Sequence, residues 1–435
     1  MSRTTTVSLV LPKTKVRLLQ MNGFEGPDQR PSFSSHVIEV DAQPKYAALS
    51  YVWGTDIPTH EIYLNGQSVL VRKNLYDFFY NLTLEFWEYG PAQHWKYIWI
   101  DALCIDQSNI TERNQQVSMM DRIYSEAAIV IVWMGQLFGD VPRDLPQWTE
   151  EKRQEERQRH RDWVGLNGFL SSDYWDRIWT IQEFILARNV HFFWINREGE
   201  RMDMLAEEAM AQITSMYKLY IGFIRGGARA YLSMLYEKRD GWLEDLSLLD
   251  WSLEFYNCEC LDKRDRIFAL MGLVKQQERE LLSIFFPDYG LDHETVVIIT
   301  LAIMQHVKGT HILGHESGEG FVNAKHMSDN FYEKAHGSSW PSAVLSVMGV
   351  EITTHEEVAK RQAAVDTFDL EAAKKQVLQG QSLGVSKRWP APLWRKRAQW
   401  MPQISLCWIR MFGFIALAGM VSRFVTGLRA KRSGS

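Results

Sequence analysis

Several polar side chains stand inside segments of the chain that are otherwise apolar. A polar group in a buried pattern must be hydrogen-bonded, and such groups are disproportionately residues of functional sites or of polar networks. They are the candidates for any chemistry that this sequence can support. The set comprises Ser50, Asp101, Asp106, Arg113, Arg177, Gln182 and Glu183.

Glu183 is the candidate with the most unusual surroundings. It lies beside Ile181, Phe184 and Ile185 and is the only carboxylate on the apolar part of a helix predicted from YWDRIWTIQEFILA. If it is buried and unpaired, its pKa should be raised, which is typical of a catalytic carboxylate. An ion pair with Arg177 or Arg113, binding the helix to a sheet, explains the same residue at least as well.

Asp101 and Asp106 follow a short run of β-branched and aromatic residues at 97–100, and a second such run occurs at 128–133. Helical spacing over 111–127 separates the two runs, so the unit is strand, loop, helix, strand, and its strands should be parallel. Open α/β sheets bind ligands at the carboxyl ends of such strands. Loop carboxylates also commonly hydrogen-bond a turn or the N-terminus of the next helix, and that role is equally consistent with the pattern.

A second group of residues is assigned a structural or supporting role. Arg264 and Asp265 occur together in CLDKRDRIF and predict a buried pair or a cap at the start of a helix. Trp53 and Trp179 are interpreted as core residues, although an exposed ring beside a carboxylate could also stack on a base. The supporting residues are Arg177, Trp179, Gln182, Arg264 and Asp265.

Strand and helix patterns alternate up to about residue 199 and predict an α/β layer fold with a mostly parallel sheet flanked by helices. Tyr46 to Trp53 predicts a core strand, and Asn65-Gly66 predicts a tight turn between two strands within 61–71. Edge strands are expected at 15–21 and 35–40, with a loop between them.

The predicted organisation has five parts. Beyond Gly199 the spacing becomes mainly helical, with helices expected near 202–220, 241–255, 264–274 and 293–307. The expected parts are N-terminal edge strands at 1–45, an α/β core at 46–199, a helical continuation at 200–310, a variable C-terminal region at 311–403 and an apolar terminal helix at 404–428.

The charge, the cysteine content and the missing motifs of the sequence exclude several classes of protein function. A net charge of −5 without a long basic block gives no electrostatic footprint for nucleic-acid binding. Four scattered cysteines with no signal sequence ahead of them predict a reducing, cytoplasmic setting and no metal site. The phosphate-binding GxxxxGK[ST] and GxGxxG patterns, HExxH and the GxSxG elbow are all missing from the sequence.

The segment 404–428 is apolar, but its uninterrupted core at 411–422 is about half of the ~20 residues that a bilayer span requires. Arg410 and Arg423 flank that core, and each would be costly near the membrane centre. We expect a packed or interface-lying helix, with a tail-anchored membrane segment as the alternative.

With these residues in place, the chain resembles the heterokaryon incompatibility (HET) domain family of filamentous fungi. The motifs that carry the resemblance run in family order from Tyr46 to Gly290. They are YAALSYVWG, NLYDFF, WIDALCIDQ, ERNQQVSMMDRIYSEAAIVIVWMG, RIWTIQEFILA, CLDKRDRIFALMGL and PDYG. Two departures are Asp106, where the family has asparagine in its CINQ tetrad, and SSWPS at 338–342 as the only trace of a tryptophan-proline motif.

The resemblance implies a role in non-self recognition and regulated cell death after fusion of unlike hyphae. HET domains are also remotely similar to TIR domains, so a TIR-like or flavodoxin-like sheet is implied. By that match, RIWTIQEF resembles the helix that carries the glutamate of NAD-cleaving TIR domains. Glu183 would then be the catalytic carboxylate, and the loops with Ser50, Trp53, Asp101, Asp106 and Arg113 would line the nucleotide cleft.

Two classes of function remain open at this stage. In one, the protein consumes NAD as a substrate, binds no permanent cofactor, and is activated by oligomerisation. In the other, it is a non-catalytic signalling or scaffold module that assembles with protein partners or with itself, and Glu183 is structural. In either class the switch must come from another protein or from the helical half of this chain.

Overall fold

The computed structural model describes residues 11, 14–81, 95–137, 168–169, 172–196, 199–209, 246–309, 311–313, 340–351 and 354–383. The chain divides into two compact units, Met1–Leu383 and Gly384–Ser435. The apolar segment predicted at 404–428 and the SSWPS serines at 338 and 339 lie outside the described residues. Within the described ranges, no helix is long and apolar enough to cross a membrane.

A single nine-stranded sheet organises the first unit, with strand order β5-β4-β2-β1-β6-β3-β7-β8-β9 among the described residues. The strands are β1 (Lys15–Glu25), β2 (Arg30–Glu39), β3 (Tyr46–Tyr51), β4 (His60–Leu64), β5 (Gln67–Val71), β6 (Tyr97–Trp99), β7 (Ile129–Gln136), β8 (Val190–Ile195) and β9 (Arg201–Leu205).

The four strands β6, β3, β7 and β8 form a parallel centre. Every residue of β3 and of β8 is buried, and β7 is buried except at Gln136. Strands covered on both faces read as continuous apolar runs, which is why the sequence pattern identified them. The predictions of core strands at 46–53, 97–100 and 128–133 are confirmed.

The remaining strands make the sheet mixed, so the prediction of a mostly parallel, TIR-like or flavodoxin-like sheet is wrong. The pairs β1/β2, β1/β6, β4/β5 and β8/β9 are antiparallel and hold more of the paired residues than the parallel pairs do. The cause is a long N-terminal hairpin. Its turn occupies only a few residues around Gly26, and β1 lies inside the sheet against β6 instead of at an edge.

The hairpin predicted at Asn65-Gly66 joins β4 to β5 as expected. Asn65 and Gly66 both have positive φ, 52° and 72°, which a two-residue turn of this kind requires. Asn74 has the residue type of a helix cap, but it lies inside helix α1 (Lys73–Asn81). Its side-chain amide donates to the Val52 carbonyl at 2.6 Å, and its oxygen accepts from Trp133 Nε1 at 2.8 Å.

Most of the other helices follow the last strand of the sheet in the sequence. Those in the α/β part are α2 (Asp101–Cys104), α3 (Ile110–Val117), α4 (Met120–Glu126) and α5 (Trp179–Ile185). The later ones are α6 (Leu248–Glu254), α7 (Asp265–Phe268), α8 (Gln276–Phe285), α9 (His293–Lys308), α10 (Trp340–Val347), α11 (His355–Thr367) and α12 (Leu370–Leu378). The helix expected from residue 202 is wrong at its start, since 201–205 is strand β9.

Two long helices predicted near the sheet are each broken. The segment 111–127 forms α3 and α4 in place of one helix, and Asn109 caps α3 by accepting from the amides of Thr111 and Glu112. The segment 174–187 forms a 3₁₀ turn, Asp173–Asp176, and then α5. Between them Arg177 is extended (φ −89°, ψ 133°) because its backbone pairs with that of Glu259.

Candidate functional site

Glu183 lies on α5 with 3% of its surface exposed, and hydroxyl groups hold its carboxylate. Ser50, in the middle of β3, donates a hydrogen bond from Oγ to Glu183 Oε2. The Ser50 Oγ is also 2.9 Å from the hydroxyl of Tyr174, and the Tyr124 hydroxyl, which donates to the Leu49 carbonyl at 3.1 Å, interacts with Glu183 as well. Strand β3 and the segment 174–183 therefore meet at a buried group of polar side chains within an apolar interior.

Burial raises the pKa of Glu183 from 4.5 to about 7. The negative charge of Asp101 contributes to this increase, whereas the charge of Arg177 and the interactions with Ser50 and Tyr124 oppose it. Near neutral pH the carboxyl group is thus divided between its protonated and ionised forms. A carboxyl group with such a pKa can carry negative charge toward a substrate and exchange a proton in the same pH range.

Arg177 is the cation shared by two carboxylates. Its charge lowers the pKa of Asp101 as well as that of Glu183, and its Nη1 donates to the Tyr51 carbonyl. The predicted partnership of Arg177 with Glu183 therefore has an electrostatic basis. Arg113 lies elsewhere: its guanidinium is 3.5 Å from the centre of the Tyr289 ring and 3.9 Å from Asp262 Oδ2.

Asp101 and Trp53 form the half-buried part of the site. Trp53 Nε1 donates to Asp101 Oδ2 at 2.8 Å, and the amide of Ala102 donates to Oδ1 at 2.7 Å. Burial nevertheless raises the pKa of Asp101. Arg72, which the sequence did not single out, lies 5.3 Å from the Trp53 ring and donates from Nε to the Asp56 carbonyl at 2.8 Å.

Asp106 serves the turn that follows α2. Its Oδ1 accepts from the amide and the hydroxyl of Ser108 at 3.0 and 2.6 Å, which matches the turn interpretation of this residue. Glu112 and Arg17 hold this turn through hydrogen bonds. Neither residue was identified from the sequence. Glu112 Oε1 accepts from the Asp106 amide at 2.9 Å and from Arg17 Nη1 at 3.0 Å. The only sequence feature that pointed to this ion pair was the position of Arg17 between the apolar residues Val16 and Leu18.

Arg264 and Asp265 do not pair with each other through their charged groups. Arg264 bonds Asp262 at 2.7 Å and the carbonyls of Tyr289 and Leu291, whereas Asp265 is buried and accepts from the Tyr289 hydroxyl at 2.6 Å. The Trp179 side chain also interacts with Asp265 and lowers the pKa of its carboxyl group. Gln182 Oε1 accepts from the Gly272 amide at 3.2 Å. The supporting residues therefore join α5 to the helical part of the chain.

No cluster of three or more histidine, cysteine or acidic side chains suited to a metal ion occurs in the part of the chain that the structure describes. Cys104 is fully buried, burial raises the pKa of its thiol to about 12, and its sulfur accepts from the Ile100 amide at 3.3 Å. A thiol with that pKa is inert near neutral pH, which fits a packing role.

The positive charge of Arg177 acts on two buried or half-buried carboxylates, Glu183 and Asp101. An ionised carboxylate in such a place can stabilise positive charge that develops on a sugar ring when a glycosidic bond breaks. The same groups can also form a static network that joins α5 to the sheet, because buried polar side chains need hydrogen-bond partners in any fold.

Comparison with known proteins points to one family. Residues 46–183 match the family model described as heterokaryon incompatibility protein (HET). The match begins at the first residue of β3 and ends at Glu183, so it contains every candidate of the buried site from Ser50 onward. No solved structure matches the chain.

Two curated fungal proteins are similar to this chain. Heterokaryon incompatibility protein 6, OR allele, of Neurospora crassa is 30% identical over 159 residues, which is 33% of this chain and 22% of that protein. Vegetative incompatibility protein HET-E-1 of Podospora anserina is 30% identical over 161 residues, 37% of this chain and 10% of that protein. The chain thus spans about a fifth of one relative and a tenth of the other. Residues 46–183 of this chain are thus similar to the heterokaryon incompatibility (HET) family.

Proposed function

We propose that this protein acts in fungal heterokaryon incompatibility, the non-self response that ends in regulated cell death. The support is the HET domain at 46–183 and the two relatives, which are named for heterokaryon and vegetative incompatibility. A cytoplasmic location and protein partners, including further copies of this chain, belong to the same proposal.

The proposed biochemical activity is hydrolysis of NAD at the bond between nicotinamide and ribose. The observation that carries it is the Glu183 carboxylate, buried, held by Ser50 and raised in pKa to about 7. Nicotinamide leaves as a neutral base with the bonding electron pair, and the ionised carboxylate stabilises the oxocarbenium-like ribose that remains. Water then adds to the ribose carbon and gives its proton to the carboxylate, so that ADP-ribose, nicotinamide and one proton are the products.

The half-buried residues of the site, Trp53 and Asp101, together with the nearby arginines, suit the binding of NAD. Trp53 donates from Nε1 to Asp101, and the Arg72 guanidinium lies over its ring. Because these contacts already order the indole, an aromatic ring of the substrate could stack on it with little further loss of side-chain entropy. Arg72 and Arg177 bring positive charge beside two carboxylates, which suits a substrate that carries both a diphosphate and a cationic pyridinium ring.

A non-catalytic scaffold is the second candidate, and one observation favours it. Glu183 is only 3% exposed, and Ser50 already donates a hydrogen bond to its carboxylate. A substrate could reach this group only after a local opening of the site. On this alternative the network joins α5 to the sheet, and the protein acts by assembling with partners.

Nicotinamide release from NAD by the purified full chain distinguishes the two candidates. Wild type is compared with Glu183→Ala and Glu183→Gln at high protein concentration, with and without forced oligomerisation. The matched control is Glu278→Gln, since Glu278 is also buried but accepts from the Leu248 amide in the helical part of the chain. Turnover that both Glu183 variants abolish and the control retains, with melting temperatures preserved, supports catalysis. No turnover by wild type in any condition supports the scaffold.

A further inference from the structure

Helix α5 carries Glu183. Residues outside the matched domain contact the chain just before this helix begins. The backbone of Glu259 pairs with the chain on both sides of Arg177: its amide donates to the Asp176 carbonyl, and its carbonyl accepts from the Ile178 amide at 3.1 Å. These bonds hold the extended residue that separates the 3₁₀ turn from α5. The start of the Glu183 helix therefore depends on residues 76 positions downstream.

The first turn of α5 is held by side chains as well. Trp179 stands four positions before Glu183, so the two side chains lie on the same side of the helix. The Trp179 side chain interacts with the buried carboxylate of Asp265, which accepts a hydrogen bond from the Tyr289 hydroxyl at 2.6 Å. Burial raises the pKa of Asp265, and the interactions with Tyr289 and Trp179 lower it.

Tyr289 connects the same point to the other side of the site. Its ring lies under the Arg113 guanidinium at 3.5 Å, and its backbone amide donates to Asn114 Oδ1 at 2.9 Å. Arg113 and Asn114 are on α3, the helix that follows α2 and the turn of Asp106; Asp101 itself is the first residue of α2 and does not lie in the loop that the sequence predicted. One buried tyrosine thus contacts both α3 and the Asp265 carboxylate.

Gln182 supplies a second attachment, next to Glu183 itself. Its Oε1 accepts from the Gly272 amide at 3.2 Å, and a Cβ at residue 272 would lie 2.5 Å from that oxygen and 2.6 Å from Asp121 Cβ. The helical part of the chain approaches α5 so closely that only glycine fits at this position.

We propose that Asp265 and Tyr289 are positioning residues for Glu183, and that the functional unit of this HET domain extends beyond residue 183 to about residue 291. Asp265 holds the start of α5 through Trp179, and Tyr289 holds Asp265 in place while it contacts α3. The contact with substrate stays with Glu183. The catalytic meaning of this positioning rests on the proposed function.

Hydrogen exchange of the full-length protein tests the structural step without any need for activity. We compare wild type with Asp265→Asn and Tyr289→Phe, and use Glu278→Gln as the control, because its buried carboxylate accepts from Leu248 on another helix. Both test variants should speed exchange of the amides in 179–185 by about tenfold, the effect of losing one hydrogen bond to a charged group. Exchange in β7 should stay as in wild type.

Equal exchange of 179–185 in wild type and both variants would overturn the proposal. So would a uniform increase over the whole sheet, since that pattern describes general destabilisation. If wild type releases nicotinamide, the acidic limb of its pH profile should move in Asp265→Asn and Tyr289→Phe but not in Glu278→Gln. If wild type releases none, the proposed activity fails, and the exchange measurement still decides whether Asp265 and Tyr289 hold the Glu183 helix.

Discussion

Ser50 donates a hydrogen bond to Glu183, although 133 positions separate the two residues in the chain. Ser50 is the only residue of the all-buried strand β3 that is neither aliphatic nor aromatic, and Glu183 is the only carboxylate on the all-buried part of α5. Each is therefore the natural partner of the other in an apolar interior. Their bond joins two of the motifs that carry the family resemblance, YAALSYVWG and RIWTIQEFILA.

Stability should depend on pH through Glu183. Its pKa is about 7 in the folded chain against 4.5 for an exposed group, so the folded state binds this proton more tightly than the unfolded state does. The free energy of unfolding should therefore fall as pH rises from about 4.5 to about 7. The loss is at most a few kcal/mol, because each pKa unit corresponds to about 1.4 kcal/mol.

Glu183→Gln should weaken that pH dependence, because the amide cannot ionise but can still accept the hydrogen bond from Ser50. Denaturant unfolding at pH 5 and pH 8 measures the difference for wild type and variant. We expect the variant to be at least as stable as wild type at pH 8. An unchanged difference between the two pH values would contradict the assignment of the raised pKa to this residue.

Ser50→Ala should raise the pKa of Glu183 still further, because the Ser50 hydrogen bond is one of the interactions that lower it. The Tyr174 hydroxyl also loses its neighbour at 2.9 Å. We expect a loss of about 1–3 kcal/mol in stability, typical of a buried polar group without its partner, and a higher midpoint in the pH titration of stability. Ser252→Ala is the matched control, since Ser252 Oγ bonds only the Leu248 carbonyl of its own helix among the described contacts.

Gly272→Ala should destabilise the junction between α5 and the helical part. The added Cβ would lie 2.6 Å from Asp121 Cβ and 2.5 Å from Gln182 Oε1, so α4 or α5 must shift. Overpacking of this kind costs about 1–3 kcal/mol, which thermal unfolding can measure. Combining it with Gln182→Ala removes one of the two clashes. If the loss of stability in the double variant equals or exceeds the sum of the losses in the two single variants, the clash with Gln182 is not the cause.

Glu112→Ala should be among the more damaging substitutions in the α/β part. It leaves Arg17 buried beside the Cys104 carbonyl without its carboxylate and removes the acceptor of the Asp106 amide. Breaking one side of a buried ion pair costs about 3–5 kcal/mol. Melting temperature measures the loss. The double variant Arg17→Met with Glu112→Leu should recover much of it, and no recovery would show that the loop bond to Asp106 dominates.

The amino-acid sequence by itself determined the elements whose signals are local. Continuous apolar runs identified β3, β6 and β7 because strands buried on both faces need no alternation. Asn65-Gly66 identified the hairpin because its two residues accept positive φ. The same local patterns carried the family motifs and drew attention to Ser50, Asp101 and Glu183, since a polar residue in an apolar run needs a partner.

Tertiary structure alone decided which of these residues meet. The mixed sheet arises because β1 pairs with β6, a contact between distant segments that no local pattern encodes. The break before α5 depends on Glu259, and the partner of Asp265 is Tyr289 in place of the neighbouring Arg264. Burial is likewise a property of the assembled fold, and it is burial that raises the pKa of Glu183 to about 7.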